Sequence, residues 1–487
     1  MAKFTGKQND PKYLKALKAL RKMRTFERAY DGAASGRRTD GWTTQSTSSN
    51  TEIRRSLTWL RNRSRDLVRN NPYAERAVRV IANNTIGYGI TTTPIAANKT
   101  RSKELNAAWK NWSESTECDA DGMQTLYGLQ NLAMRSICES GEVLVRRRWR
   151  RPEDGLSVPM QLQVIEPDFL DSTKDGRIDT GFIVQGVQFN KIGQRVGYWL
   201  YSDHPGDAFR AGFESKFVPA EDIAHVFRMD RPGQVRGVPW GAPCILRLRD
   251  FDEYEDAQLI RQKIAACFAV FYYDREGEGD SDDTIERVEP GIIEHLPPGS
   301  DVQIASPPGV DGYGEFASVS LHAVAAGYGI TYESLTGNYN DVSYSSGRLG
   351  RLDFFANLDD WQYNMLIPRL CDRVGRWFLQ AALLAGLPAR GATLKHVPPR
   401  RAMTDPTKDV PATNAAIRAG LLTLPEAIRQ QGYDVEEYLD EYALGIQMLD
   451  ARGIALDSDP RWTSKAGVTQ ARPEGSTSPF DQLSDEA

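Results

Sequence analysis

The sequence predicts an α+β fold spread over several domains, and three observations carry that expectation. Apolar residues recur at helical spacing in the first 90 residues and again after about residue 243. Short β-rich runs separated by Gly, Asp or Pro fill roughly residues 140 to 230. The chain has 487 residues, room for about two to four domains. Its 40% hydrophobic and 26% charged content suits a globular protein with a core.

The formal net charge of -5 argues against a chain built mainly to grip phosphates. Charge is unevenly placed: residues 1–76 hold roughly 18 Lys/Arg against 7 Asp/Glu, and residues 274–301 roughly 2 against 10. Cys118, Cys138, Cys244, Cys267 and Cys371 are widely spaced, with no CxxC. That is the pattern of reduced thiols, not of a disulfide frame or a zinc site. The N-terminus has lysines but no apolar h-region. The longest apolar run, near AACFAVFYY, is about half a bilayer span. We therefore expect a soluble chain made in a reducing cytoplasm, with no membrane partner.

Taken in order, Pro11–Tyr30 is a basic amphipathic helix with Tyr13, Leu17 and Leu20 on its apolar side, read as a solvated arm in preference to a nucleic-acid contact. A Gly/Ser/Thr-rich linker completes the region 1–50. Leu57, Leu60, Leu67 and Val68 predict a helix. Asn71 as N-cap, Pro72 at the first helical position and Glu75 in the first turn predict another. Its buried stripe is Tyr73, Ala77, Val80 and Ile81, and Gly87 is its C-cap. Arg61, Arg63, Arg65, Arg69, Arg76 and Arg79 fit an exposed helix face in an assembly better than a DNA reader. GEVLVRRRW, MQLQVIEPDFL, TGFIVQGVQFN and RVGYWLYS read as strands, and VPAEDIAHVFRMDRPGQVRGVPWGAP as a loop-rich junction. Residues 244–273 read as one helix with Ile245, Leu248, Ala257, Ile260 and Ile264 on its apolar face. An acidic insertion follows, with strand-like GIIEHL and DVQIA, before FASVSLHAVAAGYGITYESL resumes a helix.

The segment TGNYNDVSYSSGRLG, Thr336–Gly350, is polar, nearly free of aliphatic residues and longer than the usual helix connection of about 2–8 residues. A long helix follows, with Leu349, Leu352, Phe355 and Leu358 in phase. Pro368 is expected to kink it and Gly386 to stop it. Short acidic helices come next, one capped by Thr423 ahead of Pro425 and Glu426. The tail from Ser458 to Ala487 reads as disordered.

Motifs that carry chemistry are scarce. GxxxxGK[ST], HExxH, GxSxG and zinc-ligand spacings are all missing. Gly312–Ala317, GYGEFA, has a GxGxxA outline but follows a Pro/Gly loop where a strand is needed, so it is not read as a nucleotide site. His204, His225, His295, His322 and His396 lack ligand spacing and read as structural. The carboxylates of residues 274–301 lack an EF-hand order and read as a solvated surface. No catalytic residue, metal ligand or cofactor is expected, and the chain is not read as an enzyme.

RAYDGA at Arg28–Ala33, SRDLVRNNPYAERAV at Ser64–Val78, LQVIEPDFLD, HVFRMDRPGQVRGVPW at His225–Trp240 and DEYEDAQL at Asp252–Leu259 form an ordered series. AAGYGITYESLTGNYNDVSYSSGRLG at Ala325–Gly350, LIPRLC and DPTKDVPATNAAIRAGLLTLPEAI extend it. Across about residues 25 to 456 the chain resembles the lambda-type portal proteins of tailed bacteriophages. The resemblance implies a portal fold and a ring, most often of twelve identical subunits, at one capsid vertex. Double-stranded DNA passes through such a ring during packaging and ejection.

By the resemblance, residues 51–242 form a wing of helices and strands, 243–270 a first stem helix, 271–315 a small α/β clip and 316–335 a second stem helix. Residues 336–350 form a tunnel loop, 351–395 a long kinked helix returning to the wing, 396–457 a helical crown and 458–487 the tail. Asn338, Tyr339, Asn340, Asp341, Ser343, Tyr344, Ser345 and Ser346 would touch passing DNA weakly and without reading bases, with Arg348 and Arg351 just behind them. Clip residues Arg275, Glu276, Glu278, Asp280, Asp282 and Asp283 would dock the terminase large subunit and the head–tail connector proteins. Major capsid and scaffolding proteins are further implied partners. The implied location is the virion, after assembly in the host cytoplasm. Two alternatives stand beside this reading. Another head–tail adaptor would be shorter and lack this order of elements. A DNA-processing phage enzyme would need an ATP site or a metal-binding carboxylate cluster.

Overall fold

Two helices open the part of the chain that the computed structural model describes, which is residues 46–207, 214–266, 270–273, 293–296, 312–403 and 405–454, with isolated positions outside these ranges. The basic arm and the tail lie outside the described residues. α1 is Ser49–Asn70 and α2 is Pro72–Ile86. Between them Asn71 caps α2 as expected: its side chain accepts from the N–H of Tyr73 and of Ala74 at 2.9 Å each. Gly87 closes α2 at φ 51°, where a Cβ would meet Pro399. Ala74, Ala77, Val78, Ile81 and Ala82 are buried, whereas Tyr73 and Val80 are only half-buried.

β1 (Thr91–Ile95) pairs antiparallel with β12 (Thr393–Val397), which joins segments about 300 residues apart in the chain. Helices α3 (Lys99–Glu114) and α4 (Leu126–Ser140) follow. β2 (Glu142–Trp149) is the middle strand of an antiparallel sheet, between β3 (Met160–Ile165) and β9 (Ile223–Phe227). β4 (Gly176–Ile178), β5 (Gly181–Val184), β6 (Val187–Asn190), β7 (Arg195–Tyr201) and β8 (Ser215–Pro219) form a five-stranded meander. The β5–β6 hairpin turns through Gln185 and Gly186, both at positive φ, as a two-residue hairpin requires. The segment read as a loop-rich junction thus contains the end of β8 and the whole of β9. Every residue of β9 is buried, so the alternation that reveals a half-exposed strand is missing from it.

α5 spans Ile245–Ala266 and stops short of the helix expected to run to Tyr273. Val270–Tyr273 is instead a strand, β10, parallel to β11 (Ile293–Leu296). Its run of aromatic residues behind Val270 favours the extended state. The second expected stem helix is also divided. α6 (Tyr313–Tyr328) ends at Gly329, φ 74°, and a short α7 (Tyr332–Thr336) follows, capped by Thr331. Beyond it the chain is helical from Tyr344 to Leu384: α8 (Tyr344–Asp359), a π-helical stretch (Asp360–Cys371) and α9 (Asp372–Leu384). Pro368 lies inside the π stretch. Wider turns accommodate a residue that lacks an N–H and whose ring would clash with the carbonyl four residues back in an α-helix. Gly386, φ 83°, follows the helix end as expected. α10 (Pro406–Arg418), α11 (Leu424–Gln430, capped by Thr423) and α12 (Val435–Asp450) complete the described chain.

The main core gathers α2, α4, the three-stranded sheet and the inner faces of α5, α6 and the long helix. Trp109, Trp112 and Phe378 pack edge-on or tilted against one another at its centre, with ring centroids 4.8 to 5.5 Å apart. A second core lies under the meander, from Val187, Phe189, Tyr198, Leu200 and Val218 against Leu144, Ile165 and Leu170. Among the described residues no helix is long and apolar enough to cross a membrane.

Candidate functional site

The polar segment between α7 and α8 is shorter than its sequence suggested. Coil runs only from Gly337 to Ser343, and Tyr344, Ser345, Ser346, Arg348 and Gly350 already lie in the first turns of α8. Ser343 starts that helix as an N-cap, accepting from the Ser346 N–H at 3.2 Å. Within the coil Asn338 takes a backbone bond to Thr336 Oγ1, and the Asn340 N–H donates to Asn338 Oδ1, both at 3.1 Å. Asn338–Asp341 and Ser343 are exposed, and Tyr339 is 63% exposed. Asp341 is the one charged side chain in the coil.

Both ends of this coil are anchored. At its start Gly337 sits at φ 75° and donates to the Glu333 carbonyl at 2.7 Å. Arg76 of α2 donates Nε to the Ser334 carbonyl at 2.8 Å, and its guanidinium would lie 3.1 Å from a Cβ on Gly337. At its far end Arg348 is paired with Asp409 of α10 at 2.9 Å, and Lys408 lies over the Tyr344 ring at 5.5 Å. Asp405, hydrogen-bonded by Thr407, Tyr344 and Lys408, is held down at about 2. Arg351 lies 5.5 Å from the centre of the Phe355 ring. Arg348 and Arg351, expected just behind the segment, thus both have contacts within the chain. The clip residues Arg275, Glu276, Glu278, Asp280, Asp282 and Asp283 lie outside the described residues.

α2 also holds α5 in place. Asn71 donates Nδ2 to Asp252 Oδ1 at 2.6 Å, and Tyr73 meets Phe251 edge-on at 5.9 Å. α5 and α6 join through Tyr254, Phe316 and Tyr313, whose hydroxyl donates to Glu255 at 2.8 Å. One helix thus touches both the root of the coil and the helix pair below it.

A cluster that sequence reasoning missed sits behind these elements. Glu142, fully buried at the start of β2, accepts from Arg61 at 2.9 Å, Arg236 Nε at 2.8 Å, His225 Nε2 at 2.9 Å and the Gly237 N–H at 2.8 Å. Burial alone would raise its pKa. Arg236, His225 and Arg61 outweigh burial and hold it far below the usual carboxylate range. His225 Nδ1 faces Arg195 at 3.0 Å. Arginine only donates, so Nδ1 accepts and Nε2 carries the proton toward Glu142. Burial brings the His225 pKa down to about 4, against the pull of Glu142. The available signal was the HVFRMDRPGQVRG stretch, which supplies His225 and Arg236 but gives no hint of Glu142.

Glu166, Asp168 and His204 approach one another closely enough to suggest a metal site. Arg65 already bridges Glu166 at 3.1 Å and Asp168 at 2.6 Å. His204 Nδ1 accepts from the Gly206 N–H at 3.0 Å, which leaves the proton on Nε2, 3.3 Å from Glu166. A guanidinium paired with both carboxylates and a ring N–H turned toward Glu166 make this a self-satisfied polar cluster, not a ligand set. Cys118 and Cys371 are buried thiols pushed up to about 12, and Cys138 is pushed higher still by burial. None of the three is placed as a nucleophile.

A family described as phage portal protein, lambda family, matches residues 35–362. A probable portal protein of Halomonas phage phiHAP-1 is 27% identical over 97% of this chain and 95% of its own. Portal protein B of Escherichia phage lambda is 24% identical over 91% of this chain and 93% of its own. A solved chain from the neck of an empty GTA particle covers 78% of this chain and 93% of that one, at 17% identity and a TM-score of 0.44. The family match takes in the three- and five-stranded sheets, the helix pair, the Gly337–Ser343 coil and the start of the long helix, and on it the chain belongs to the lambda family of phage portal proteins.

Proposed function

We propose that this portal protein closes into a ring at one capsid vertex, with Gly337–Ser343 of every subunit turned toward a central channel that carries double-stranded DNA. The observation that carries this reading is the coil itself: exposed, polar, anchored at both ends by Arg76 and by the Ser343 cap, and without a cation of its own. Each neutralised phosphate adds steep, salt-dependent affinity. A conduit must let DNA slide, so amide and hydroxyl groups suit it and free arginines do not. The pairing of Arg348 with Asp409 supports the same reading, because it withdraws a cation from the coil.

In this proposal residues 51–242 serve as the wing, α5 and α6 as the stem and α10–α12 as the crown. Residues 271–315 serve as the clip that meets the terminase and the head–tail connector proteins. The subunit performs no chemistry of its own. The deciding experiment is electron microscopy of purified rings, followed by packaging assays on a chain lacking Asn338–Val342. We expect about twelve-fold symmetry, as the resemblance implies, intact rings in the variant, and impaired packaging. Normal packaging by the shortened chain would refute the role of the coil. Hydrolysis of ATP or DNA that vanished on changing one carboxylate would restore the enzyme alternative.

A further inference from the structure

We propose that alternate arginines of β2 form a second anion-binding site, fitted to a phosphodiester backbone and separate from the Gly337–Ser343 coil. The sequence from Arg146 to Arg151 places five arginines around Trp149. On a strand, alternate residues share a face. Arg147 turns to one side and is fully engaged: it binds Asp222 through Nε at 2.9 Å and Nη2 at 2.6 Å, bonds Gln380 and lies 4.4 Å from the centre of the Trp149 ring.

Arg146 and Arg148 turn to the other side. Arg146 stands opposite Gln163 of β3 and Arg148 opposite Gln161. Arg150, just past the strand end, donates Nε to Gln161 Oε1 at 2.7 Å and so continues the same row. Among the described residues none of these three arginines has an ion-pair partner, while Arg147 between them does. All three are half-buried. Burial and the neighbouring Arg148 both lower the pKa of Arg146, and Asp222 offsets this only in part.

Three like charges about 7 Å apart along an extended strand repel one another. An arrangement that disfavours the isolated chain, next to a fully paired Arg147, points to an anion that arrives from outside. The regular spacing selects the kind of anion. A phosphodiester chain offers a charge at every step and in any register, and the guanidinium fork fits phosphate oxygens. None of the described strands carries carboxylates at alternate positions, so a second copy has no matching strand to offer. A tight, salt-sensitive contact here would hold DNA that is not in transit, leaving the coil free for DNA that is. The inference rests on the conduit reading only in naming duplex DNA as the polyanion at hand.

The test measures binding of a short fluorescein-labelled duplex of mixed sequence to the full-length protein across a salt series. Four chains are compared: wild type, Arg146→Gln/Arg148→Gln/Arg150→Gln, the corresponding triple lysine variant, and the chain lacking Asn338–Val342. We expect the glutamine variant to bind at least tenfold more weakly. Its slope of log affinity against log salt should be shallower by about 2.7, at about 0.9 per lost phosphate contact. The lysine variant and the coil deletion should keep the wild-type slope. An unchanged slope in the glutamine variant overturns the site. A slope lost equally in the lysine variant also overturns it, because a change that keeps the charge would then be acting through the fold. A glutamine variant that binds duplex normally but no longer binds poly-glutamate would make the row a protein-docking surface instead. Because the slope can be read on unassembled chain, failure of ring formation, which would sink the conduit reading, leaves this test intact.

Discussion

Glu142 shows how one side chain can organise a region of the protein. Two arginines, one histidine and a backbone N–H converge on it in the buried interior. Removing one partner of a buried ion pair leaves the others uncompensated, at about 3–5 kcal/mol. We expect Glu142→Gln to unfold at a markedly lower temperature than wild type in calorimetry. His225 adds a pH dependence with a definite sign. Its folded pKa of about 4 lies below the unfolded value of about 6.5. Between those values the unfolded chain binds more protons, so stability falls as pH drops through the window, by about 3 kcal/mol in all. His225→Gln keeps a donor toward Glu142 and an acceptor toward Arg195, so its melting temperature should depend less on pH between 6.5 and 4. An unchanged pH slope would mean that His225 does not titrate in this window. Residues acting locally were legible in the sequence: Asn71, Gly87 and Thr423 cap helices as their neighbours indicate. Glu142 was not, because its partners lie 81 to 95 positions away and a glutamate at the first position of a strand usually signals exposure.

At the scale of elements, the boundary of the coil carries a similar lesson. Gly347 and Gly350 gave α8 the look of a loop, since glycine disfavours helix by about 1 kcal/mol. The Ser343 cap and the ties of Tyr344 and Arg348 to α10 secure the helix regardless. Ser343→Ala should loosen this end by about 1 kcal/mol, which would appear as about fivefold faster amide exchange over residues 345–347. Asp409→Asn should leave the melting temperature near the wild-type value, because its pair with Arg348 is partly exposed. It would also free Arg348 to meet DNA, so we expect it to steepen the salt dependence of duplex binding. A variant with the wild-type salt slope would show that Arg348 does not face the DNA path. The π stretch was invisible beforehand for a different reason. Pro368 announces a fault in a helix, but whether the chain bends or widens depends on the packing of Trp361, Met365, Leu366 and Leu370 on distant elements.

At the scale of the whole molecule, the C-terminal helices decide what the chain does next. α10 and α12 bury no residue, and among the three helices only Ile428 of α11 is buried. Leu421 is 85% exposed, and Leu424, Leu439, Tyr442, Leu444 and Met448 are exposed with it. An isolated chain gains nothing from so much apolar surface in water, and large exposed apolar patches mark association sites. In a closed ring every contact joins two different patches of the same chain, so each subunit can cover its neighbour's face and present its own to the next. Tyr438 and Tyr442 stack 6.4 Å apart on one side of α12, with Leu439 next to them. Leu439→Glu/Tyr442→Glu therefore targets the assembly and leaves the fold alone. Exposed positions tolerate such changes within about 0.5 kcal/mol, so the melting temperature of the unassembled chain should stay at the wild-type value. Sedimentation velocity should show rings replaced by single subunits. Rings that survive both glutamates would place the subunit contact elsewhere and leave this face for another protein of the capsid vertex. A lowered melting temperature would show that the exposed residues support their own helix, and that the monomer is more complete than its surface suggests.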